Sequence, residues 1–109
     1  MKKYYLLLLS FLFSCTYETV SECEVDSPSF DICIDPIIEN NCFSCHSYGG
    51  SSSSLHLYGY DDVINAIDNH NLLIRINADD GSVMPPSGKL SNADIDIINN
   101  WVNSGKQNN

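Results

Sequence analysis

The stretch Cys42-Phe43-Ser44-Cys45-His46 constrains this chain more than any other, because its spacing suits a particular chemistry. Two cysteines three positions apart lie on one side of a helical turn. Their thiols can therefore form thioethers with the two vinyl groups on one edge of a haem, and the histidine that follows can bind the iron from the proximal side. The motif predicts one covalently attached haem c, held by Cys42 and Cys45, with His46 as an axial ligand.

Two other kinds of site use a cysteine pair at this spacing, a thioredoxin-type redox pair and half of a zinc site. A thioredoxin pair opens a helix after a strand, within an alternating strand–helix pattern that this sequence does not show. A four-thiolate zinc site needs a second pair, and the only candidates, Cys23 and Cys33, do not form a closely spaced knuckle. Haem attachment is favoured over both alternatives.

The beginning of the chain has the parts of an export signal. Lys2 and Lys3 precede a short apolar run over residues 4–13, which ends at Ser14 and Cys15. This run is shorter than the roughly 20 residues that a permanent membrane-spanning helix needs. The stretch Leu12-Phe13-Ser14-Cys15 resembles a bacterial lipobox, which implies cleavage before Cys15 and lipid on its thiol. The alternative is an ordinary secretory signal with an incidental cysteine.

These features predict a signal peptide over residues 1–14, a tether over residues 15–31 and one domain over residues 32–106. The tether is assigned from acidic residues interleaved with Ser, Thr and Pro and from the lack of periodicity. Cleavage leaves roughly 95 residues, which can bury only a modest apolar core. A haem bonded to the chain would supplement that core.

Acidic residues dominate the charge of the chain. Removal of Lys2 and Lys3 leaves three basic residues against 14 acidic ones, a net charge of −11. Nucleic acid is therefore a poor candidate partner, and a protein with a positively charged docking face is a better one. An equally good explanation is that the acidity only keeps the surface soluble.

Of the five cysteines, Cys15 is assigned to lipid and Cys42 and Cys45 to haem, which leaves Cys23 and Cys33. An even pair in an oxidising compartment predicts a disulfide between them. The alternative is two free thiols in a loose tether.

The chain beyond the tether shows helical periodicity and no hairpin signals. Asp35 is a good N-cap and Pro36 suits a first turn, which predicts the start of a helix that delivers both motif cysteines. Asp61 or Asp62 is predicted to cap a second helix, and residues 72–76 to form a further helical turn or two.

The last helix has the clearest signals. Ser91 is its predicted N-cap, Leu90 and Ile95 are placed for a hydrophobic staple, and Gly105 suits the C-terminal end. Its buried stripe is predicted to consist of Ile95, Ile98, Trp101 and Val102. The expected fold class is all-α, a small helical domain wrapped around one covalent haem.

Over residues 32–105 the chain resembles the class I c-type cytochromes in three features. These are a helix that ends in Cys-x-x-Cys-His, a Met-Pro-Pro loop and a terminal helix with an aromatic residue. The second half is similar to that of short bacterial cytochrome c-like lipoproteins, with Leu-Leu-x-Arg-Ile before Met-Pro-Pro. The resemblance implies a cytochrome c-like domain in which Cys42 and Cys45 hold the haem, His46 is the proximal ligand and Met84 is the distal ligand. It also implies that the first and last helices cross near the haem edge.

The chain departs from the mitochondrial-type members of that family after His46. Those members have a proline there, whose carbonyl orients the imidazole, whereas this chain has Tyr48-Gly49-Gly50. Residues 47–54, rich in Ser and Gly, instead predict a flexible surface loop. The partner of the second His46 nitrogen cannot be read from the sequence.

Met84 is the single methionine left after processing, and its proline-stiffened loop suits a soft axial ligand. A core methionine that fills a gap is the alternative. His56 and His70 are rival ligands, but His56 is expected at the haem edge and His70 in an exposed loop. Arg75 is expected to pair either with a haem propionate or with a surface acid. Packing, rather than hydrogen bonding to propionates, is expected of Tyr58, Tyr60 and Trp101.

Together these observations predict a protein that carries single electrons and is not an enzyme. It is expected in the bacterial cell envelope, anchored by lipid and facing the periplasm or the cell surface, with redox proteins or a respiratory complex as partners. One alternative is an open-site haem sensor or peroxidase-like protein, which requires that Met84 not bind the iron. The other is a haem-bearing subunit of a larger membrane complex.

Overall fold

The structure, a computed structural model, describes residues 22–52 and 54–109. All regular structure in these residues is helical: a π-helical turn Phe30–Ile34, α1 Asp35–Asn41, α2 Tyr60–Asn69, α3 Leu72–Asn77 and α4 Asn92–Asn103. The predicted all-α class is confirmed for this part of the chain. None of its helices is long and apolar enough to span a membrane. The predicted signal peptide and Cys15 lie outside the described residues.

The first helical segment starts earlier than the sequence predicted. Ser29, and not Asp35, is its N-cap, and the Ser29 side chain accepts a hydrogen bond from the Ile32 N–H at 3.4 Å. The π-helical turn leads directly into α1, so Asp35 lies inside a continuous helical segment. Pro36 stands in the first turn of α1, where its missing N–H costs little.

Part of the predicted tether belongs to the domain. Phe30 is only 3% exposed, and its ring lies 5.3 Å from that of Tyr60 and 5.7 Å from that of Trp101. Pro28 is also buried. Phe30, near the end of the predicted tether, therefore packs with residues of α2 and α4.

The first and last helical segments pack against each other through this aromatic cluster. Trp101 is fully buried, and its Nε1–H donates to the Gln107 carbonyl at 3.0 Å. The Tyr60 hydroxyl donates to the Lys106 carbonyl at 2.7 Å. Tyr60 and Trp101 thus have backbone partners and pack in the core, as the sequence predicted.

The predicted signals of α4 are confirmed at both ends. Ser91 Oγ accepts the Asp94 N–H at 3.1 Å. At the other end Gly105 has a φ of +112°, while its N–H donates to Val102 and the Lys106 N–H donates to Trp101. This pair of bonds is a Schellman motif, which explains why the helix ends before a glycine.

The predicted cap of α2 is wrong. Gly59, with a φ of +80°, precedes the helix, which begins at Tyr60. Asp62 lies within the first turn, and its carboxylate accepts the Tyr58 N–H at 3.0 Å. Glycine tolerates this positive φ and occupies the N-cap position, so the helix starts before either aspartate can serve as its N-cap.

Candidate functional site

The Cys-x-x-Cys-His motif lies directly after α1 rather than within it. The Cys42 N–H donates to the Ile38 carbonyl at 2.8 Å, and the His46 N–H donates to the Cys42 carbonyl at 2.9 Å. These bonds continue the helical direction through the motif. Cys42 and Cys45 are free thiols, both partly exposed.

A cavity of about 450 Å³ lies beside this motif. Its volume falls within the range of about 300–1,000 Å³ that is usual for sites of small molecules and cofactors. Its lining comes from the motif, from the loop that follows, from α3 and from the Met-Pro-Pro loop. The lining residues are Asn41, Cys42, Ser44, Cys45, His46, Ser51, Ser52, Leu55, Leu57, His70, Leu72, Arg75, Ile76, Met84, Pro85, Pro86 and Ser87. The four predicted haem-binding residues thus meet at one cavity.

The imidazole of His46 has a backbone partner. Its Nδ1 atom lies 2.8 Å from the carbonyl oxygen of Leu55. Because a carbonyl can only accept a hydrogen bond, Nδ1 is the donor, and in the neutral imidazole Nε2 is then the nitrogen with a free lone pair for a metal. Histidines that bind metals commonly have this arrangement.

The loop after the motif is tied back to it by hydrogen bonds. The Ser52 N–H donates to the Cys45 carbonyl at 2.9 Å, and the Leu57 N–H donates to the His46 carbonyl at 2.8 Å. A Cβ on Gly50 would lie 2.4 Å from the Cys45 oxygen, so only glycine fits there. Residues 47–52 are therefore a hydrogen-bonded turn against the motif, and no local sequence pattern marks Gly50 for this role.

Met84 reaches the cavity from a loop that is anchored on α3. Its side chain is partly buried, and its N–H donates to the Arg75 carbonyl at 3.0 Å. The Arg75 guanidinium donates in turn to the Ser82 carbonyl at 3.3 Å. Arg75 thus holds the loop through both its backbone and its side chain.

A polar turn precedes Met84. The Ser82 hydroxyl and N–H both donate to the Asp80 carboxylate. The pKa of the Asp80 carboxyl is lowered, most by the hydrogen bond from the Ser82 hydroxyl, then by the bond from the Ser82 N–H and also by the nearby charge of Arg75. Beyond Met84, Lys89 pairs with Asp79 at 2.5 Å.

The two rival histidines lie in different places. His70 is exposed and lines the cavity, so it shares the site with His46 and Met84. His56 is not among the lining residues, and its ring lies 3.8 Å from that of Tyr48. Of the two rival histidines, only His70 thus lines the cavity.

The state of the cysteines argues against a thioredoxin-type redox pair and against a four-thiolate zinc site. Burial, and then the neighbouring Cys45, raise the pKa of Cys42 to about 11, whereas redox-active pairs have lowered thiol pKa values. Cys23 and Cys33 form a disulfide with a Cα–Cα distance of 5.0 Å, so neither is available as a zinc thiolate. In the described part of the chain, no three His, Cys, Asp or Glu side chains converge on a possible metal position.

The donor set of the cavity fits a haem. Two free thiols lie in one turn, an imidazole is held through its Nδ1 atom, and a thioether stands on an adjacent loop. Buried Leu57, Leu72 and Ile76 supply apolar walls. Sequence reasoning did not assign Leu72 or Ile76 to the site, because their periodicity indicates burial without saying against what.

Comparison of the chain with protein-family models, with curated proteins and with solved structures finds no match.

Proposed function

We propose that this protein is a monohaem c-type cytochrome, similar to class I members, that carries single electrons. The observation that supports this most strongly is the meeting of Cys42, Cys45, His46 and Met84 at one cavity. A cysteine pair alone has several uses, but a pair beside an oriented imidazole and a thioether suits a covalently held haem.

Each of the four residues has a distinct role in this proposal. Cys42 and Cys45 hold haem c through two thioether bonds. His46, with Nδ1 bonded to the Leu55 carbonyl, offers Nε2 to the iron, and Met84 offers sulfur. The bound haem supplies a one-electron couple between ferrous and ferric iron.

Electron transfer is favoured over catalysis by the way in which Met84 is held. The bond from its N–H to the Arg75 carbonyl and the contact of Arg75 with Ser82 restrain the loop on α3. A restrained loop loses little entropy when its sulfur binds, which favours a closed iron site. An open-site sensor or a peroxidase-like protein would instead need Met84 away from the iron.

An envelope location is consistent with the cysteine pairing. A Cys23–Cys33 disulfide suits an oxidising compartment. Lipid on Cys15 would anchor the domain to a membrane, with the residues up to the disulfide as the tether. In this setting the redox partners are envelope proteins or a respiratory complex.

An optical and electrophoretic experiment tests the proposal. We expect the purified protein to keep its haem through acid-acetone extraction and denaturing electrophoresis, and to show a low-spin spectrum in both oxidation states. Cys42→Ala and Cys45→Ala should each lose one thioether, and the double variant should release the pigment. Pigment that separates from the wild-type chain contradicts covalent attachment, while rapid binding of carbon monoxide by the ferrous protein favours the open-site alternative.

A further inference from the structure

A second cavity, of about 370 Å³, adjoins the first and shares Leu57 with it. One part of its lining is aromatic: Phe30, Phe43, Tyr58 and Tyr60. The other part is acidic and comes from the first helical segment: Asp31, Asp35 and Glu39. We call this cavity the acidic groove.

The aromatic part of the acidic groove includes exposed ring surface. Tyr58 is 66% exposed, and its ring lies 5.5 Å from that of Phe43. Phe43 is partly buried and stands between the two motif cysteines. A group that binds against these two rings therefore lies next to the proposed haem site.

The three carboxylates have no cation from the described residues. Lys89 and Lys106 pair with Asp79 and Asp68, and Arg75 donates to Ser82 at the first cavity. Burial, then the charge of Glu39 and then that of Asp31, raise the pKa of Asp35. The acidic groove thus holds like charges that repel one another, and a positively charged ligand would relieve this repulsion.

The spacing of the carboxylates suits an extended ligand better than a metal ion. They recur at every fourth residue, and eight residues of helix span about 12 Å. In the part of the chain that the structure describes, no three such groups converge on one metal position. Guanidinium groups fit this arrangement, since they pair with carboxylates in a fixed geometry and stack on aromatic faces.

We propose that the acidic groove is the docking site for an arginine-bearing segment of a positively charged partner protein. The charge complementarity is direct, because three uncompensated carboxylates stand beside exposed aromatic surface. The redox role of this docking rests on the function proposed above: a partner in the groove contacts Phe43, which stands between the two motif cysteines, and Leu57, which lines both cavities. The binding itself does not depend on the haem.

A peptide titration tests the proposal on the whole purified protein in its ferrous form. The probe is a capped hexa-arginine peptide at low ionic strength, followed by calorimetry and by amide chemical shifts in NMR. We expect the shifts to cluster at residues 31–43 and 57–60. Glu39→Gln should weaken binding about three- to fivefold and Tyr58→Ala about two- to fivefold, in line with exposed ion pairs and cation–π contacts.

The matched control is Asp96→Asn, which removes the same charge from an exposed residue outside the groove. We expect it to change the affinity less than twofold. Shifts spread over the whole surface, equal weakening by Glu39→Gln and Asp96→Asn, or no binding at all would each overturn the docking proposal.

The haem content of the same sample is read optically, which separates the two proposals. Covalent haem with no binding localised to the groove overturns the docking site alone. Localised peptide binding by a chain without haem supports the docking site and overturns the electron-carrier function.

Discussion

The Nδ1 atom of His46 and the carbonyl oxygen of Leu55 lie 2.8 Å apart and belong to residues nine positions apart in the chain. Ser52, in the turn between them, donates its N–H to the Cys45 carbonyl, and Leu57, just beyond the turn, donates to the His46 carbonyl. The imidazole is therefore oriented by a backbone carbonyl on a short loop. In mitochondrial-type members of the family that the chain resembles, a proline carbonyl has this role, and under the function proposed above the Leu55 carbonyl would take its place.

Gly50→Ala should disturb the loop that presents Leu55. The new Cβ would lie 2.4 Å from the Cys45 carbonyl oxygen, which is backbone and cannot move away cheaply. We expect the free energy of unfolding to fall by about 1–3 kcal/mol, as for other overpacked sites. Urea unfolding measures this change, and NMR of the His46 ring N–H reports on the bond to Leu55.

Gly81→Ala is the control for this variant, because nothing lies within 4 Å of its Cβ position. Its free energy of unfolding should change by less than about 1 kcal/mol. Equal effects of the two substitutions would show that Gly50 does not approach Cys45 closely.

Met84→Ala should open the iron site if Met84 is the distal ligand. We expect the weak far-red charge-transfer band of the ferric protein to disappear, the reduction potential to fall and the ferrous protein to bind carbon monoxide rapidly. Sulfur ligation favours the ferrous state, which is why its loss lowers the potential.

His70→Ala is the matched variant, since His70 lines the same cavity. It should leave the far-red band of the ferric protein, the reduction potential and the slow binding of carbon monoxide by the ferrous protein unchanged. If His70→Ala removes the low-spin spectrum and Met84→Ala does not, the iron has two histidine ligands.

Asp80 should make the stability of the Met84 loop depend on pH. Its folded-state pKa is lowered from 3.8, mainly by the hydrogen bonds from Ser82. A lowered carboxyl pKa contributes stability that is present above the unfolded-state pKa and is lost as the pH falls through the folded-state pKa.

We therefore expect Asp80→Ala to be less stable than the wild type at pH 7 and the difference to shrink below about pH 4. Thermal unfolding at several pH values measures it. Ser82→Ala should reduce the effect of Asp80→Ala in a double-mutant cycle, whereas additive effects would contradict a direct interaction.

Loss of the Cys23–Cys33 disulfide should destabilise the domain. The bond closes a short loop between residues ten apart, for which chain entropy sets a limit of about 3 kcal/mol. Cys23→Ser should cost no more than this limit, because the haem proposed above would also restrain the unfolded chain. Alkylation of the unfolded wild type should label both cysteines only after reduction, and labelling of both without reductant would contradict the pairing.

Cys15→Ala should prevent lipidation. We expect mass spectrometry of the wild type to show acyl chains on a mature N-terminal Cys15, and the variant to accumulate as an uncleaved precursor or as a form without lipid. A wild-type chain that is processed at another residue and carries no lipid would refute the lipoprotein assignment.

The sequence by itself determined those features that depend on neighbouring residues. Ser91, the apolar stripe and Gly105 predicted α4 correctly, because caps and helical periodicity act within a few residues. The Cys-x-x-Cys-His motif identified its candidate chemistry for a similar reason, since its spacing places two thiols and an imidazole within one turn.

The tertiary structure alone decided which distant groups meet. The Leu55 carbonyl is a backbone atom that every residue possesses, so no residue type marks it as the partner of His46. The earlier start of the first helix depends on the burial of Phe30 against Tyr60 and Trp101, residues far along the chain. The acidic groove likewise joins carboxylates from the first helical segment with the rings of Tyr58 and Tyr60 from a later part of the chain. Such contacts depend on how the helices pack, and local sequence patterns do not contain that information.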